Sequence, residues 1–401
     1  MLNIKKLIKV DILFFLGLFV FNFFSYIYIP DFFYKFINGW TFNEWLINYQ
    51  GGFVRRGLLG ELIFNLNKIN IDHRFIIFFL GLGSLFHITL NILFLIADKN
   101  IFYRVFILFN PFGLFYLVQN LEFFFARRDL FYLNFLIYFG KKKAFNHTLF
   151  LLFSIFLVLN YGIYIFLIGP IYFLLKDKRN FDIKKFLYSF ILLIAPLNIL
   201  LLTIFSNARN FETLCSSINF LNKDIPLQEK NCWGAPNWVD SSYEPTTRAF
   251  DEIAQGINYF NSFSTWLIVF IFLILCIFIT TENNKKFTLK QIIYLSPYFF
   301  FFFFAQDWGR WIFLIFFIIF LNYSYSNVPS QDKIKISYLC LAPILLNIFL
   351  NVPTHLFQDI LILDIRPVGF ILSSLFTYFY NLIIGPYIII RYGYNPPIIL
   401  Q

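Results

Sequence analysis

Three short stretches of this chain concentrate the side chains that can do chemistry. The first runs from Trp40 through Glu44 and Trp45 into Asn48-Tyr49-Gln50-Gly51-Gly52-Phe53-Val54-Arg55-Arg56-Gly57, and on to Gly60-Glu61. An Arg side chain offers a planar fork of donors that matches phosphate and carboxylate oxygens, where Lys offers a point charge. Two adjacent Arg between glycines, which let backbone turn sharply or approach a ligand closely, make an anion cradle. The residues from Leu58 to Phe64 read as a helix, whose amino end would add partial positive charge. The plainer alternative is a Gly-rich loop whose Arg residues meet lipid headgroups. The second stretch is Glu122-Phe123-Phe124-Phe125-Ala126-Arg127-Arg128-Asp129, a burst of charge inside a long apolar region. Charge near membrane depth is expensive and usually faces a cavity or a partner; the alternative is an Arg–Asp pair capping a hairpin. The third is Ala305-Gln306-Asp307-Trp308-Gly309-Arg310-Trp311 at the tip of a hairpin. There Asp307 could act as a general base with Arg310 on a phosphate, or the two could simply bond each other. His355 and Asp359 would share a helical face, but two ligands do not make a metal site. Asp364-Ile365-Arg366-Pro367 reads as a structural charge pair.

The elements that must position these residues are apolar helices. Hydrophobic residues make up 59% of 401 positions and charged residues 13%, against about 25% charged in a soluble domain. Long continuous apolar runs alternate with short charged clusters, which fits helices of roughly 20 residues crossing a hydrocarbon core rather than an alternating barrel. The expected fold class is all-α: one polytopic membrane bundle over residues 1–401 with ten to twelve spans. The spans fall at 12–29, 75–97, 104–120, 128–140, 145–159, 161–175, 186–206, 263–281, 289–305, 311–327, 336–352 and 368–390. The regions 105–140 and 145–175 could instead hold re-entrant half-helices. Lys5, Lys6 and Lys9 precede an apolar run too long for a signal peptide, and no small-residue cleavage site follows it, so the first span reads as uncleaved with its amino end in the cytoplasm.

Threading by the positive-inside rule puts Lys141 to Lys143, Lys176, Lys178, Lys184, Lys185, Lys285, Lys286, Lys290, Lys333 and Lys335 in the cytoplasm. Two large loops, 30–74 and 207–262, then lie outside. Of the lysines, only Lys35, Lys68, Lys223 and Lys230 fall outside. Arginine runs the other way: Arg55, Arg56, Arg74, Arg127, Arg128, Arg209, Arg248, Arg310 and Arg366 fall outside, against Arg104, Arg179 and Arg391 inside. Most carboxylates are outside too. Outward Arg opposes the insertion bias, so this asymmetry points to an outer-face site for an anionic, phosphate-bearing ligand; Arg–carboxylate pairs that merely hold loops together are the alternative.

The loop 207–262 carries Cys215 and Cys232 on the side where an oxidising compartment permits a disulfide. Such a bridge removes roughly 3 kcal/mol of unfolded-chain entropy in the simple model. With Trp233, Trp238 and Tyr243 the loop reads as a small lid over the site. The chain holds no Walker loop, dinucleotide fingerprint, zinc signature or Ser-His-Asp pattern. Its net charge of +10 suits anionic lipid and does not require nucleic acid.

Taken together, the first-loop carboxylate and the outward Arg set resemble the plan of GT-C-type glycosyltransferases and polysaccharide polymerases of bacterial envelopes. That resemblance implies a multi-pass enzyme of the bacterial inner membrane. It would transfer sugar from a polyprenyl-phosphate or diphosphate donor to a glycan or lipid acceptor on the outer, periplasmic face. Glu44 or Asp31 would supply the first-loop carboxylate. Arg55, Arg56, Arg127 and Arg128 would hold the donor phosphate, beside Gly51, Gly52, Asp129 and Arg310. Asp307 or Glu44 would be the base. The chain departs from the pattern in having no Asp-Asp or Asp-x-Asp pair after the first span, which leaves open whether a divalent cation takes part. A transporter or flippase of a lipid-linked or other anionic solute is the alternative; it requires two pseudo-symmetric halves with binding residues near the midplane. A third reading is a scaffold within an envelope-assembly complex, which predicts no closed cavity around the Arg residues.

Overall fold

In the computed structural model the described residues are 9–27, 40–110, 112–160, 168–176, 178–205, 207–221 and 308–325, together with 232, 236, 239, 270, 271, 273, 274, 276 and 277. Every element among them is helical, apart from an isolated β-bridge between Ala144 and Arg179. The helices are α1 (Val10–Ile27), α2 (Trp40–Leu46), α3 (Gly57–Lys68), α4 (His73–Ile96), α5 (Ile101–Phe109), α6 (Leu114–Gln119), α7 (Leu121–Phe124), α8 (Asp129–Lys141), α9 (His147–Asn160), α10 (Ile168–Leu175), α11 (Ile183–Ser189), α12 (Ala195–Thr203), α13 (Phe211–Leu221) and α14 (Trp308–Tyr325). Among the described residues three stretches, His73–Ile96, Ile101–Val118 and Ile183–Leu201, are long and apolar enough to cross a membrane by length and composition. The spans expected at 289–305, 336–352 and 368–390 lie outside the described residues, as do Asp31, His355, Asp359, Asp364 and Arg366.

Local sequence sets the helix ends. Asn100 caps α5 by accepting the Tyr103 amide at 2.7 Å. Asp72 caps α4, taking the Arg74 amide at 2.8 Å and its Nε at 2.9 Å. Burial raises the Asp72 pKa, but the bonds from Arg74 outweigh it and hold the carboxyl below its usual range. The folded-state pKa is depressed, so its contribution is present above the unfolded carboxylate range and lost as pH falls through it. Asp72→Ala should therefore destabilise by about 1 kcal/mol at neutral pH. In a melting series the difference from wild type should shrink below about pH 4.

Two helices depart from regular geometry. The 104–120 region, expected as a span with re-entrant half-helices as the alternative, breaks between α5 and α6. Asn110 is fully buried there. Its Nδ2 donates to the Phe106 carbonyl at 2.7 Å and its Oδ1 accepts the Phe112 amide at 2.9 Å, so the interrupted backbone keeps its partners. The residue before a proline is disfavoured in helical geometry, and Asn110 precedes Pro111. The second departure is a π turn, Phe190–Ile194, between α11 and α12, in which the Ala195 amide bonds back to the Phe190 carbonyl. It lies just before Pro196, which has no amide to continue a regular ladder.

The packing gives the bundle two chemically distinct ends. At one end, Lys9 donates to the Ala97 carbonyl. Arg104 forks onto Asp11 with two bonds of 2.7 Å and reaches the Lys99 carbonyl at 2.6 Å. Lys141 donates to Asn91, and Lys178 to the Gly140 carbonyl. The Asp182 amide meets His147 Nε2 at 3.2 Å. Helices α4 and α8 run parallel: Ala126 sits on Gly81, Asn134 bonds His87, and Lys141 bonds Asn91. Segments α5 to α7 must therefore return the chain to the opposite end, where the Arg-bearing loops gather. Helix α14 follows the same direction, with Phe313 against Phe124 at 4.9 Å near its start and Tyr325 under Lys178 at its end. Residues 311–321 of α14 are buried all round, as a helix in the middle of a bundle must be. Its phenylalanines interlock with Phe106, Phe112, Tyr116 and Phe124. The outer faces are the reverse: α1 exposes Leu13, Phe14 and Phe24, and α4 exposes Phe75, Phe79 and Phe86.

Candidate functional site

The arginine end is built around Arg128, at the start of α8. The residue is only 3% exposed. Nη1 donates to the carbonyls of Arg56 and Asn160, each at 2.9 Å, and Nη2 donates to the carbonyl of Glu44. The fork also lies over the Trp45 ring, 5.5 Å from its centroid. One side chain thus ties together α2, the loop before α3 and the end of α9. Trp45 is fixed in turn by its Nε1 bond to the Ala126 carbonyl at 2.6 Å. Asn160 also accepts the Leu59 amide at 3.0 Å.

Glu44 lies beside this knot, 5% exposed. Its Oε1 takes a 2.9 Å bond from Arg56 Nη1, which is also an ion pair. Arg56 adopts a left-handed backbone conformation, φ 66°, and so does Ala126 at φ 59°. Left-handed geometry is unfavourable for residues other than Gly, and it persists only where the surroundings over-determine it. At Arg56 it lets the carbonyl face Arg128 while the side chain reaches Glu44. Both residues immediately precede or lie within the Arg-rich stretches. The Arg55 amide donates to the Phe205 carbonyl at 2.7 Å. Burial, then the adjacent Arg56 charge, lower the Arg55 pKa to about 9.

The glycines shape the floor. Gly52 has φ +100°, with the Arg209 side chain lying across it. The Gly51 carbonyl accepts the Asn210 amide at 2.9 Å. A Cβ on Gly51 would fall 2.3 Å from the Asn210 carbonyl oxygen. Gly60 is tighter still, since a Cβ there would sit 1.8 Å from the Ile47 carbonyl oxygen and 2.9 Å from that of Trp45. Backbone cannot yield as a flexible side chain can, so Gly60→Ala should destabilise by about 3 kcal/mol, read as an early thermal transition of the purified protein. Gly60 thereby lets α3 press onto the segment carrying Glu44 and Arg56.

A second layer of polar side chains supports the loop. Asn48 is fully buried; its Nδ2 donates to Ser217 at 2.8 Å and to the Leu46 carbonyl at 3.0 Å, and its Oδ1 accepts the Gln50 amide at 3.0 Å. Glu61 accepts the Tyr49 amide and the Gln50 side chain, each at 3.0 Å. Burial, and then the Glu61 charge, raise the Tyr49 pKa to about 12. Helix α13 brings Ser217 to Asn48, and it also carries Cys215, which is joined to Cys232 by a disulfide with Cα atoms 5.4 Å apart. The Ala208 amide bonds the Val239 carbonyl at 2.7 Å, so the described parts of the 207–262 loop rest at this same end.

Of the residues singled out in the sequence, Glu44, Gly51, Gly52, Arg55, Arg56, Arg127, Arg128 and Asp129 come together at this end. Arg127 and Asp129 are both buried. Arg310 belongs to the first turn of α14, whose start lies at the arginine end, while Asp307 lies outside the described residues. The role of Arg128 differs from that of a phosphate ligand: three of its donors are engaged by main-chain carbonyls. Asn48 and Glu61 lie within the first stretch but carry no assigned role in the sequence reading, and Asn160 lies outside all three stretches. A polar residue terminating the apolar run 148–159 was the only signal for Asn160. Among the described residues no three His, Cys, Asp or Glu converge as a metal-binding group. No protein family, no curated protein and no solved structure matches this chain.

Proposed function

We propose that the protein is a multi-pass membrane glycosyltransferase of the GT-C type, or a related polysaccharide polymerase. In this reading it uses a polyprenyl-phosphate-linked sugar at the arginine end of the bundle, which faces the outer side of a bacterial inner membrane. The observation that carries the proposal is the convergence of Arg55, Arg56, Arg127, Glu44 and Asp129 at the end opposite the lysines. The apolar outer faces of α1 and α4 support membrane burial, with ten to twelve spans in the whole chain. The Cys215–Cys232 bridge supports an oxidising compartment at the arginine end.

In this reading Arg55 and Arg56 stabilise charge developing on the departing phosphate. Glu44 removes the proton from the acceptor hydroxyl as it attacks the anomeric carbon, with Asp307 as the other candidate base. The Glu44–Arg56 pair gives the step an order: a donor phosphate competes for Arg56 and frees the carboxylate only when donor is present. Arg128 holds the loop and α2 in register. Replacing Arg55 or Arg310 by Ala should reduce the envelope glycan strongly at matched protein levels. Normal glycan in both variants would remove the support for this site.

One observation favours a transporter or flippase of an anionic, lipid-linked solute as a second reading. The α5–α6 break gives a discontinuous helix, the element from which transporter sites are built. That reading requires a matching break in the other half of the chain.

A further inference from the structure

We infer that the lysine end of the bundle carries a binding site for an anionic diacyl phospholipid, formed by the loops that join α8 to α9 and α10 to α11. This rests on the membrane placement proposed above and not on sugar transfer. The two loops are pinned edge to edge: the Phe145 amide donates to the Arg179 carbonyl at 2.7 Å, and the Arg179 amide to the Lys143 carbonyl at 3.1 Å. The pinning draws two clusters that are far apart in sequence, Lys141 to Lys143 and Lys176 to Lys185, into one. Lys141 and Lys178 are tied down, on Asn91 and on the Gly140 carbonyl. Lys142, Lys143, Arg179, Lys184 and Lys185 are exposed, with Lys142 resting over the Tyr138 ring at 5.1 Å. Asp182, whose carboxylate accepts the Lys184 and Lys185 amides at 2.9 and 3.3 Å as the cap of α11, offsets one of these five charges and leaves the cluster positive. Asp177, in the same loop, lies outside the described residues.

The surface that adjoins these cations selects among anions. Helices α9 and α11 and the π turn leave this end with large apolar side chains exposed: Leu152 at 60%, Tyr188 at 65%, Ile191 at 59% and Leu192 at 70%. A phosphate on the lysines with acyl chains along these side chains satisfies both surfaces. A free phosphate ion would use only the first, and a soluble acidic protein would leave the second exposed to water. Clusters of this size at a membrane surface attract anionic headgroups, and the pinned loops give the cluster a fixed shape before lipid arrives, which reduces the ordering needed on binding.

The test uses the full-length protein, extracted in detergent and exchanged into mixtures of phosphatidylglycerol and phosphatidylcholine, with retained lipid counted by native mass spectrometry. Phosphatidylglycerol should be retained about tenfold over phosphatidylcholine. The variant Lys142→Gln/Lys143→Gln/Lys184→Gln/Lys185→Gln should lose that preference, while Lys68→Gln at the other end keeps it. These lysines are on the surface, so the variant should melt with wild type, and a thermal scan checks that it does. Excess inorganic phosphate should leave retention unchanged. Equal retention of the two lipids, a preference that survives the four substitutions, or displacement of lipid by inorganic phosphate would each overturn the inference. A chain that washes out of vesicles in alkaline carbonate would instead overturn the membrane placement itself.

Discussion

Arg128→Ala should cripple folding rather than substrate binding. The substitution leaves the carbonyls of Glu44, Arg56 and Asn160 without their shared donor. A buried acceptor stripped of its partner costs about 1–3 kcal/mol, and removing one member of a buried charged network typically costs about 3–5 kcal/mol. Loss of the stacking on Trp45 adds to this. A total near 4 kcal/mol is a large share of the roughly 5–15 kcal/mol that holds a folded protein together. The expected result is low yield, a collapsed melting temperature in detergent, and aggregation on size exclusion. Arg128→Lys should restore little, since a point charge cannot reach carbonyls on three sides. Arg209→Ala is the control: Arg209 is exposed, and its loss should change stability by less than about 0.5 kcal/mol.

The second large effect is on chemistry. If the proposed sugar transfer is this protein's reaction, Glu44→Gln should lower it by about 10²–10⁴-fold, the range expected when a positioned acid–base group is removed. The variant should nonetheless fold, because Arg128 bonds the Glu44 backbone carbonyl and not its carboxylate. Gln keeps the shape and retains an oxygen for Arg56. Arg56→Ala should also impair transfer, and its effect should be far from additive with that of Glu44→Gln, since the two side chains form one pair. Should Glu44→Gln leave turnover intact while Arg56→Ala abolishes it, Glu44 would be only the resting partner of Arg56 and the base would lie elsewhere, with Asp307 next to be tested.

Much of this arrangement is legible in the sequence, and the parts that are not share a cause. The all-helical class, both ends of α8 and the starts of α9 and α14 follow from where charged and polar residues interrupt apolar runs. The separation of Lys from Arg is visible once the spans are threaded in alternation; among the described residues Arg55, Arg56, Arg127 and Arg128 lie at one end and Lys9, Lys141, Lys178, Lys184 and Lys185 at the other, with Arg104 and Arg179 among the lysines as the threading has them. The α5–α6 break has a local signal, Asn110-Pro111 followed by Gly113, which the apolar character of the whole stretch outweighs when hydropathy alone is followed. The work of Arg128 has no local signal. It depends on three carbonyls brought within reach by α2, α3 and α9, and two adjacent arginines look alike until those neighbours are in place. The same holds for Asn160 and for the Asn48–Ser217 contact, which joins residues far apart in the chain. Gly60 shows the opposite case: a glycine in a helix is visible in the sequence, but only the carbonyls of Trp45 and Ile47 explain why nothing larger fits.

The most direct test of the central claim, that the arginine end is one outward-facing site, is single-cysteine labelling in intact cells with a membrane-impermeant maleimide. Cys276 and Cys340 are replaced, and the Cys215–Cys232 bridge is retained. Reporters are placed at exposed positions of the two ends: Phe53→Cys and Asn65→Cys at the arginine end, Ala144→Cys and Asn180→Cys at the lysine end. Positions 53 and 65 should label from outside, while 144 and 180 should label only after the membrane is opened. Labelling of 144 and 180 from outside, or of 53 and 65 only from within, would place the arginines on the cytoplasmic face and contradict an outer-face sugar-transfer site.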